Sequence, residues 1–86
     1  MNAALYEELQ AFVGEVVAKI ESKEAQYGDS YADMTLKEHT ICLGTEVLEL
    51  FGASQAEAPA EAVDVAACAF LLWWRFRRPA AGGETP

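Results

Sequence analysis

The chain has 86 residues and a formal net charge of −8, because 14 acidic residues outnumber 6 basic ones. This acidic balance argues against a nucleic-acid backbone as the main partner, although a metal ion can still bridge acidic side chains to the phosphates of a nucleotide. The apolar fraction of 52% is too high for a disordered chain, and the length allows one domain with a modest core.

The N-terminus and the cysteines predict a cytoplasmic protein without a membrane partner. The first residues lack the basic start and the apolar run of a signal peptide. The longest apolar run, residues 65–74, is about half as long as a membrane-spanning helix must be. Cys42 and Cys68 lie in apolar helical segments, so we predict reduced core residues, with a disulfide as the alternative.

The first element is predicted to be an amphipathic helix over residues 3–26, ended by Gly28. Its apolar residues recur at helical spacing: Leu5, Leu9, Phe12, Val13, Val16, Val17 and Ile20. The other side carries Glu8, Glu15 and Lys19. We therefore assign this helix to core packing rather than to catalysis.

A turn is predicted after the first helix, where Tyr27 and Tyr31 flank a Gly-Asp-Ser sequence. Two interpretations of the tyrosines are open. The rings either cover the core, or they form a rim that stacks on a nucleobase, since aromatic faces suit the faces of bases.

The second helix is predicted to start near Leu36 and to end near Gly52. Thr35 and Glu38 have the spacing of a capping box, in which each residue satisfies a backbone amide of the other. His39 falls on the same stripe as two acidic residues further along. A single histidine there is more often a hydrogen-bonded structural residue than a metal ligand. His39 nevertheless lies close enough to the acidic residues to orient one of them as a ligand.

The third helix is predicted to open with Pro59 in its first turn and to end at Pro79. It is apolar on most sides, and a helix of that kind must be covered on several sides. Three helices in so short a chain supply too little cover, so we expect a partner chain. The resulting organisation is an all-α domain over residues 1–78 and a flexible tail over residues 79–86.

Four acidic residues form two pairs with the same spacing: Glu46 with Glu49, and Glu61 with Asp64. Residues three apart share one face of a helix, and the short connection makes the second and third helices antiparallel. Glu49 is then expected to face Glu61, and Glu46 to face Asp64. Carboxylates crowded in this way repel one another strongly unless a cation lies between them. The alternative is a solvated acidic surface without an ion.

Carboxylate oxygens favour a hard divalent cation, which is Mg²⁺, Mn²⁺ or Ca²⁺. A di-iron helical bundle normally uses Glu-x-x-His, and the single histidine, His39, does not follow a glutamate at that spacing. The spacing of Cys and His residues in zinc sites is also missing from the sequence. The pattern therefore indicates an ion that commonly meets phosphates in proteins.

The pattern Glu46-x-x-Glu49 followed by Glu61-x-x-Asp64 resembles the signature of the MazG-like branch of the all-α nucleoside triphosphate pyrophosphohydrolases. The segment 26–31 is similar to the turn that follows the first helix in many of those proteins, where the last aromatic residue is often Trp. Agreement between the acidic signature and this turn makes the resemblance more specific than either feature alone.

The similarity covers residues 7–74, which is most of the chain. Two departures accompany it. The family often has two adjacent acidic residues at the start of the signature, whereas Thr45 precedes Glu46 here. The gap between the two acidic pairs is also short, which suggests a minimal member of the branch.

The resemblance implies a helical homo-oligomer, a dimer or a dimer of dimers, with a four-helix-bundle core. It also implies Mg²⁺-dependent hydrolysis of a nucleoside triphosphate, NTP or dNTP, to the monophosphate and pyrophosphate, with Mn²⁺ as a substitute ion, in the house-cleaning of the nucleotide pool. The implied metal-binding and catalytic residues are Glu46, Glu49, Glu61 and Asp64. The implied substrate-binding residues are Lys23 for the phosphates, Tyr31 for the base, and His39.

Two further functions stay open beside the enzyme. One is a non-catalytic helical dimer that binds Mg²⁺ or nucleotide without turnover, an alternative that Thr45 supports. The other is a structural interaction module whose acidic residues bind nothing. Stabilisation by metal ions separates this last function from the other two, and pyrophosphate release separates the enzyme from the non-catalytic dimer.

Overall fold

The structure is a computed structural model that describes residues 1–77, and those residues fold into helices joined by turns. In chain order the elements are α1 (Ala3–Tyr27), a 3₁₀ turn (Ser30–Ala32), α2 (Leu36–Phe51) and α3 (Ala58–Arg77). Residues 1–77 contain no strand, so the predicted all-α class with three main helices is confirmed. The predicted end of α3 at Pro79, the boundary after residue 78 and the tail over residues 79–86 lie outside the described residues.

Local hydrogen bonds define both ends of α1. The Asn2 side chain accepts a hydrogen bond from the Leu5 amide at 2.8 Å, which caps the first turn. At the other end, Gly28 has a φ of 68°, and its amide donates to the Glu24 carbonyl at 2.8 Å. Glycine adopts this left-handed conformation at little cost, so the helix ends beside it, as predicted.

The predicted capping box begins α2. The Glu38 amide donates to the Thr35 hydroxyl at 3.1 Å, and the Thr35 amide donates to the Glu38 carboxylate at 2.8 Å. The hydrogen bond from the Thr35 amide is the main reason why the pKa of Glu38 is lowered, because it favours the ionised carboxylate, and the Thr35 side chain adds to the effect. The helix starts at Leu36 and is followed by Gly52, in agreement with the predicted bounds.

A second reciprocal pair organises the connection between α2 and α3. The Ser54 amide donates to the Glu57 carboxylate at 3.0 Å, and the Glu57 amide donates to the Ser54 hydroxyl at 3.2 Å. Ser-x-x-Glu is the sequence signature of this arrangement. The helix α3 begins directly afterwards at Ala58, with Pro59 in its first turn, as predicted. This short connection turns the chain back so that α2 and α3 pack side by side.

The central element is α3, because it packs against α2, α1 and the 3₁₀ turn. The buried residues among those described are one polar residue of α2 and four residues of α3: His39, Val63, Ala67, Cys68 and Leu71. The core of one chain is therefore small. It consists mainly of one face of α3, together with the side chains that α1 and α2 place against it.

The apolar stripe of α1 is only partly covered within one chain. Its half-buried apolar residues are Phe12, Val16 and Ile20. Its exposed apolar residues include Leu5, Leu9, Val13 and Val17. The prediction that the whole stripe faces the core of the chain is wrong, because α3 covers a narrower strip than the apolar residues span. Within residues 1–77, none of the helices has the length and hydropathy that a membrane crossing requires.

The two cysteines differ in their exposure. Both thiols are free, with Cys68 buried on α3 and Cys42 exposed on α2. The prediction that both are core residues is therefore correct for Cys68 and wrong for Cys42. The reason is that Cys42 lines a cavity at the edge of the contact between α2 and α3, where solvent reaches its side chain.

Candidate metal centre

Three of the four predicted acidic residues converge between α2 and α3. The residues Glu46, Glu61 and Asp64 each place a carboxylate oxygen so that the three oxygens lie within 4.8 Å of one another. Glu46 comes from α2, whereas Glu61 and Asp64 share one face of α3 because they are three residues apart. All three side chains are half-buried. The predicted opposition of Glu46 and Asp64 is thus present in the structure.

Glu49 lies outside this group of three. Its side chain is exposed one turn along α2 from Glu46. The two residues still interact, because burial and then the negative charge of Glu49 raise the pKa of Glu46. The structure therefore places Glu49 beside the cluster rather than in it, and its role as a ligand stays a prediction.

The cluster carries negative charge that its protein surroundings do not fully compensate. Burial is the largest cause of the raised pKa of Glu46, followed by the charges of Glu49 and Asp64, and Lys23 opposes them. The Oε2 atoms of Glu46 and Glu61 are buried and have no hydrogen-bond partner among the described residues. Buried polar atoms normally have a partner, so these two oxygens fit a bound cation.

Lys19 supplies the positive charge nearest to the cluster. Its Nζ atom lies 3.0 Å from Asp64 Oδ1. The hydrogen bond with Asp64 raises the pKa of Lys19, burial opposes this change, and the charges of Asp64, Glu46 and Glu61 add to the increase. The ammonium group of Lys19 thus neutralises part of the negative charge of the cluster.

The position of Lys19 contradicts its predicted place on the outer side of α1. The half-buried residues of α1 form a single stripe: Phe12, Val16, Lys19, Ile20 and Lys23. Lys19 and Lys23 are four residues apart and extend the stripe of Phe12 and Val16 toward the acidic cluster. Two lysines that continue an apolar stripe at helical spacing were the sequence signal for this contact.

A cavity of about 210 Å³ lies along the same two helices, about one turn from Glu46 and Asp64. The predicted substrate-binding residues Lys23, Tyr31 and His39 all line it, together with Cys42 and Cys68. Lys23 lines the cavity, and its charge also opposes the rise in the pKa of Glu46. The structure therefore brings the three predicted substrate-binding residues together around one cavity.

His39 has a structural contact of its own. Its ring is 3% exposed, and Nε2 lies 2.9 Å from the carbonyl oxygen of Tyr31. A carbonyl oxygen only accepts, so Nε2 must carry the hydrogen. The ring also meets Phe76 edge-on, with centroids 5.7 Å apart. His39 thereby attaches the 3₁₀ turn to α2, in agreement with the structural interpretation of this histidine.

Tyr31 is held at the cavity by two contacts. Its hydroxyl donates a hydrogen bond to the Glu24 carboxylate, and this bond is the main reason why the pKa of Tyr31 is raised. Its ring meets Trp74 edge-on, with centroids 5.7 Å apart. One edge of the ring therefore packs on α3. The predicted stacking of Tyr31 on a nucleobase stays a prediction.

Comparison of the chain with protein-family models, with curated proteins and with solved structures finds no match. The resemblance to the MazG-like branch therefore stays a prediction, and it depends on the acidic signature and the turn segment alone. The arguments that follow rest on the geometry of the cluster and of the cavity.

Proposed function

We propose that the protein is a cytoplasmic, Mg²⁺-dependent nucleoside triphosphate pyrophosphohydrolase that releases a nucleoside monophosphate and pyrophosphate. The observation that carries the proposal is the cluster of Glu46, Glu61 and Asp64, with two buried carboxylate oxygens that lack a partner. The cavity beside it supports the same function, because it offers a lysine, a tyrosine and enough room for part of a nucleotide.

The three residues of the cluster would hold Mg²⁺ through their carboxylate oxygens, and water or phosphate oxygens would supply the remaining ligands. A bound Mg²⁺ ion neutralises phosphate charge and lowers the pKa of a coordinated water. Glu49 lies one turn along α2 from Glu46 and its charge acts on Glu46, so Glu49 would provide a further carboxylate. Mn²⁺ suits the same oxygen ligands and would substitute for Mg²⁺.

The cavity residues would bind the rest of the substrate. Lys23 lines the cavity and its charge acts on Glu46, so its ammonium group suits a phosphate oxygen. Tyr31 presents an aromatic face for a base, and His39 keeps the Tyr31 backbone in place. Lys19, which pairs with Asp64, would contact a second phosphate oxygen when Asp64 holds a metal ion instead.

A homo-oligomer with a four-helix-bundle core is part of this proposal. One chain leaves large apolar side chains exposed on all three helices, among them Leu9, Leu48 and Trp73. Leu48 is 72% exposed and Phe51 is 90% exposed, which is unusual for large apolar residues in a stable monomer. A second copy that packs its helices on these surfaces would supply the cover that the small core of one chain lacks.

A non-catalytic oligomer that binds Mg²⁺ or nucleotide is the second candidate function. Two observations favour it. Glu49 lies outside the group of three carboxylates, so the ligand set is smaller than the signature predicts. Thr45 also occupies the place of a frequent acidic residue, and its hydroxyl donates to the Ile41 carbonyl of its own helix.

The test of the proposal is a panel of NTPs and dNTPs incubated with Mg²⁺, with pyrophosphate release as the measurement. Glu61→Gln should abolish most of the release, because it keeps the size of the side chain and removes an anionic ligand. Glu38→Gln is the matched control, since glutamine also serves in a capping box. Circular dichroism should show unchanged helix content in both variants.

Equal turnover of Glu61→Gln and the parent would rule out this cluster as the active site. Stabilisation by Mg²⁺ without any release of pyrophosphate would favour the non-catalytic oligomer.

A further inference from the structure

Cys42 on α2 and Cys68 on α3 occupy opposing positions across the contact between these helices. Glu46 and Asp64 define the register of the two helices, because their carboxylate oxygens lie within 4.8 Å of each other. Cys42 is four residues before Glu46, and Cys68 is four residues after Asp64. A step of four residues is about one turn along the same face of a helix. Because the two helices are antiparallel, the step back from Glu46 to Cys42 and the step forward from Asp64 to Cys68 lead in the same direction in space. The two thiols are therefore the next opposing pair along the contact.

The cavity supports this register independently. Cys42 and Cys68 both line it, and so do His39 and Leu71, which are the following pair in the same register. Two successive opposing pairs thus face one cavity of about 210 Å³.

The two thiols have complementary environments for an oxidation reaction. Cys42 is exposed, so a small oxidant reaches its sulfur. Cys68 is 9% exposed, and burial is the main reason why the pKa of its thiol is raised. The ammonium group of Lys23 favours the Cys68 thiolate and faces the same cavity. An accessible thiol opposite a protected one is the arrangement in which the first is oxidised and the second completes a disulfide.

We propose that Cys42 and Cys68 form an oxidation-sensitive pair that closes into an intramolecular disulfide when a hydroperoxide reaches the cavity. The Cys42 thiolate attacks the outer peroxide oxygen, the O–O bond breaks, and the products are a sulfenic acid and an alcohol. The Cys68 sulfur then attacks the Cys42 sulfur, the S–O bond breaks, and hydroxide leaves with the Cys68 proton as water. Two thiols and one hydroperoxide give one disulfide, one alcohol and one water, with two electrons transferred to the peroxide.

The disulfide would join α2 to α3 about one turn away from the acidic cluster. It would tie two walls of the cavity together and restrict any ligand that enters between Lys23 and His39. Thiol reductants would restore the open pair, so the modification is reversible. This inference rests on the register and the cavity, and it does not depend on the proposed enzymatic activity.

The test uses the reduced full-length chain, treated with an equimolar amount of hydrogen peroxide and then alkylated under denaturing conditions. We expect a chain that has lost about 2 Da, two hydrogen atoms, and in which neither cysteine is alkylated. Peptide mapping should find residue 42 linked to residue 68 within one chain. Dithiothreitol should restore both alkylation sites. The oxidised chain should also melt roughly 10 °C higher, because the link closes a loop of the unfolded chain.

Cys42→Ser and Cys68→Ser are the matched controls, and neither should form the link or change its melting temperature after peroxide. Cys42→Ser should keep the Cys68 thiol alkylated, whereas Cys68→Ser should carry added oxygen on the Cys42 sulfur. The parent chain alone already decides the question if a variant does not fold. A disulfide between two chains on a non-reducing gel would overturn the proposal. Sulfinic acid at Cys42 with Cys68 still alkylated would overturn it as well.

Discussion

Replacing Lys19 with methionine tests the idea that this ammonium group stands in for a cation at the acidic cluster. The substitution keeps the length of the side chain and removes the charge that lies 3.0 Å from Asp64. The two side chains are 38% and 20% exposed, so solvent screening limits the contribution of the pair to about 1 kcal/mol. For a domain of this size, such a loss lowers the melting temperature by about 4–8 °C.

The size of this change in melting temperature depends on the metal ion. In excess chelator, Lys19→Met should melt at a lower temperature than the parent, because Glu46, Glu61 and Asp64 lose their nearest positive charge. In saturating Mg²⁺ the ion takes over that role, so most of the difference should vanish. The stabilisation by Mg²⁺ should therefore be larger in the variant than in the parent, since the ion no longer competes with Lys19.

Thermal melting followed by circular dichroism gives the melting temperatures of the parent and of Lys19→Met, each in excess chelator and in saturating Mg²⁺. Lys37→Met is the matched control. Lys37 is an exposed lysine in the first turn of α2, at the far end of that helix from Glu46. Its replacement should leave the stabilisation by Mg²⁺ unchanged. The idea fails if the increase in melting temperature caused by Mg²⁺ is no larger in Lys19→Met than in the parent. The acidic cluster would then not be a cation site.

Three further predictions follow from the described contacts. His39→Ala should destabilise the fold by about 2–3 kcal/mol in urea unfolding, because it removes a buried ring and leaves the Tyr31 carbonyl without its donor. The pKa of Glu38 is lowered in the folded state, so its cap stabilises the protein above the usual value of 4.5 and is lost at lower pH. Glu38→Gln should therefore make the melting temperature less sensitive to acid, and equal sensitivity would contradict this. Light scattering at micromolar concentration should give a mass above that of one 9.4 kDa chain, and Leu48→Lys should lower it, whereas Gln10→Lys should not.

Helix bounds and the pairing of α2 with α3 could be predicted from the sequence because local interactions determine them. The capping box of Thr35 and Glu38 forms between residues three apart, and Gly28 ends α1 through its own backbone conformation. The opposition of Glu46 and Asp64 follows from regular helical rise on both sides of a short connection. Each of these features depends on spacing along the chain, which the sequence contains.

Only the tertiary structure decided how each helix is rotated toward its neighbours. Lys19 faces the acidic cluster and Glu49 does not, although spacing alone allows either outcome. Cys42 and Cys68 occupy similar apolar segments, yet one is exposed and the other is buried. The reason is that α3 covers a limited strip of each neighbouring helix, so a rotation of a few tens of degrees moves a side chain between the contact and the solvent. That rotation results from side-chain packing between distant parts of the chain, and periodicity within one helix does not contain it.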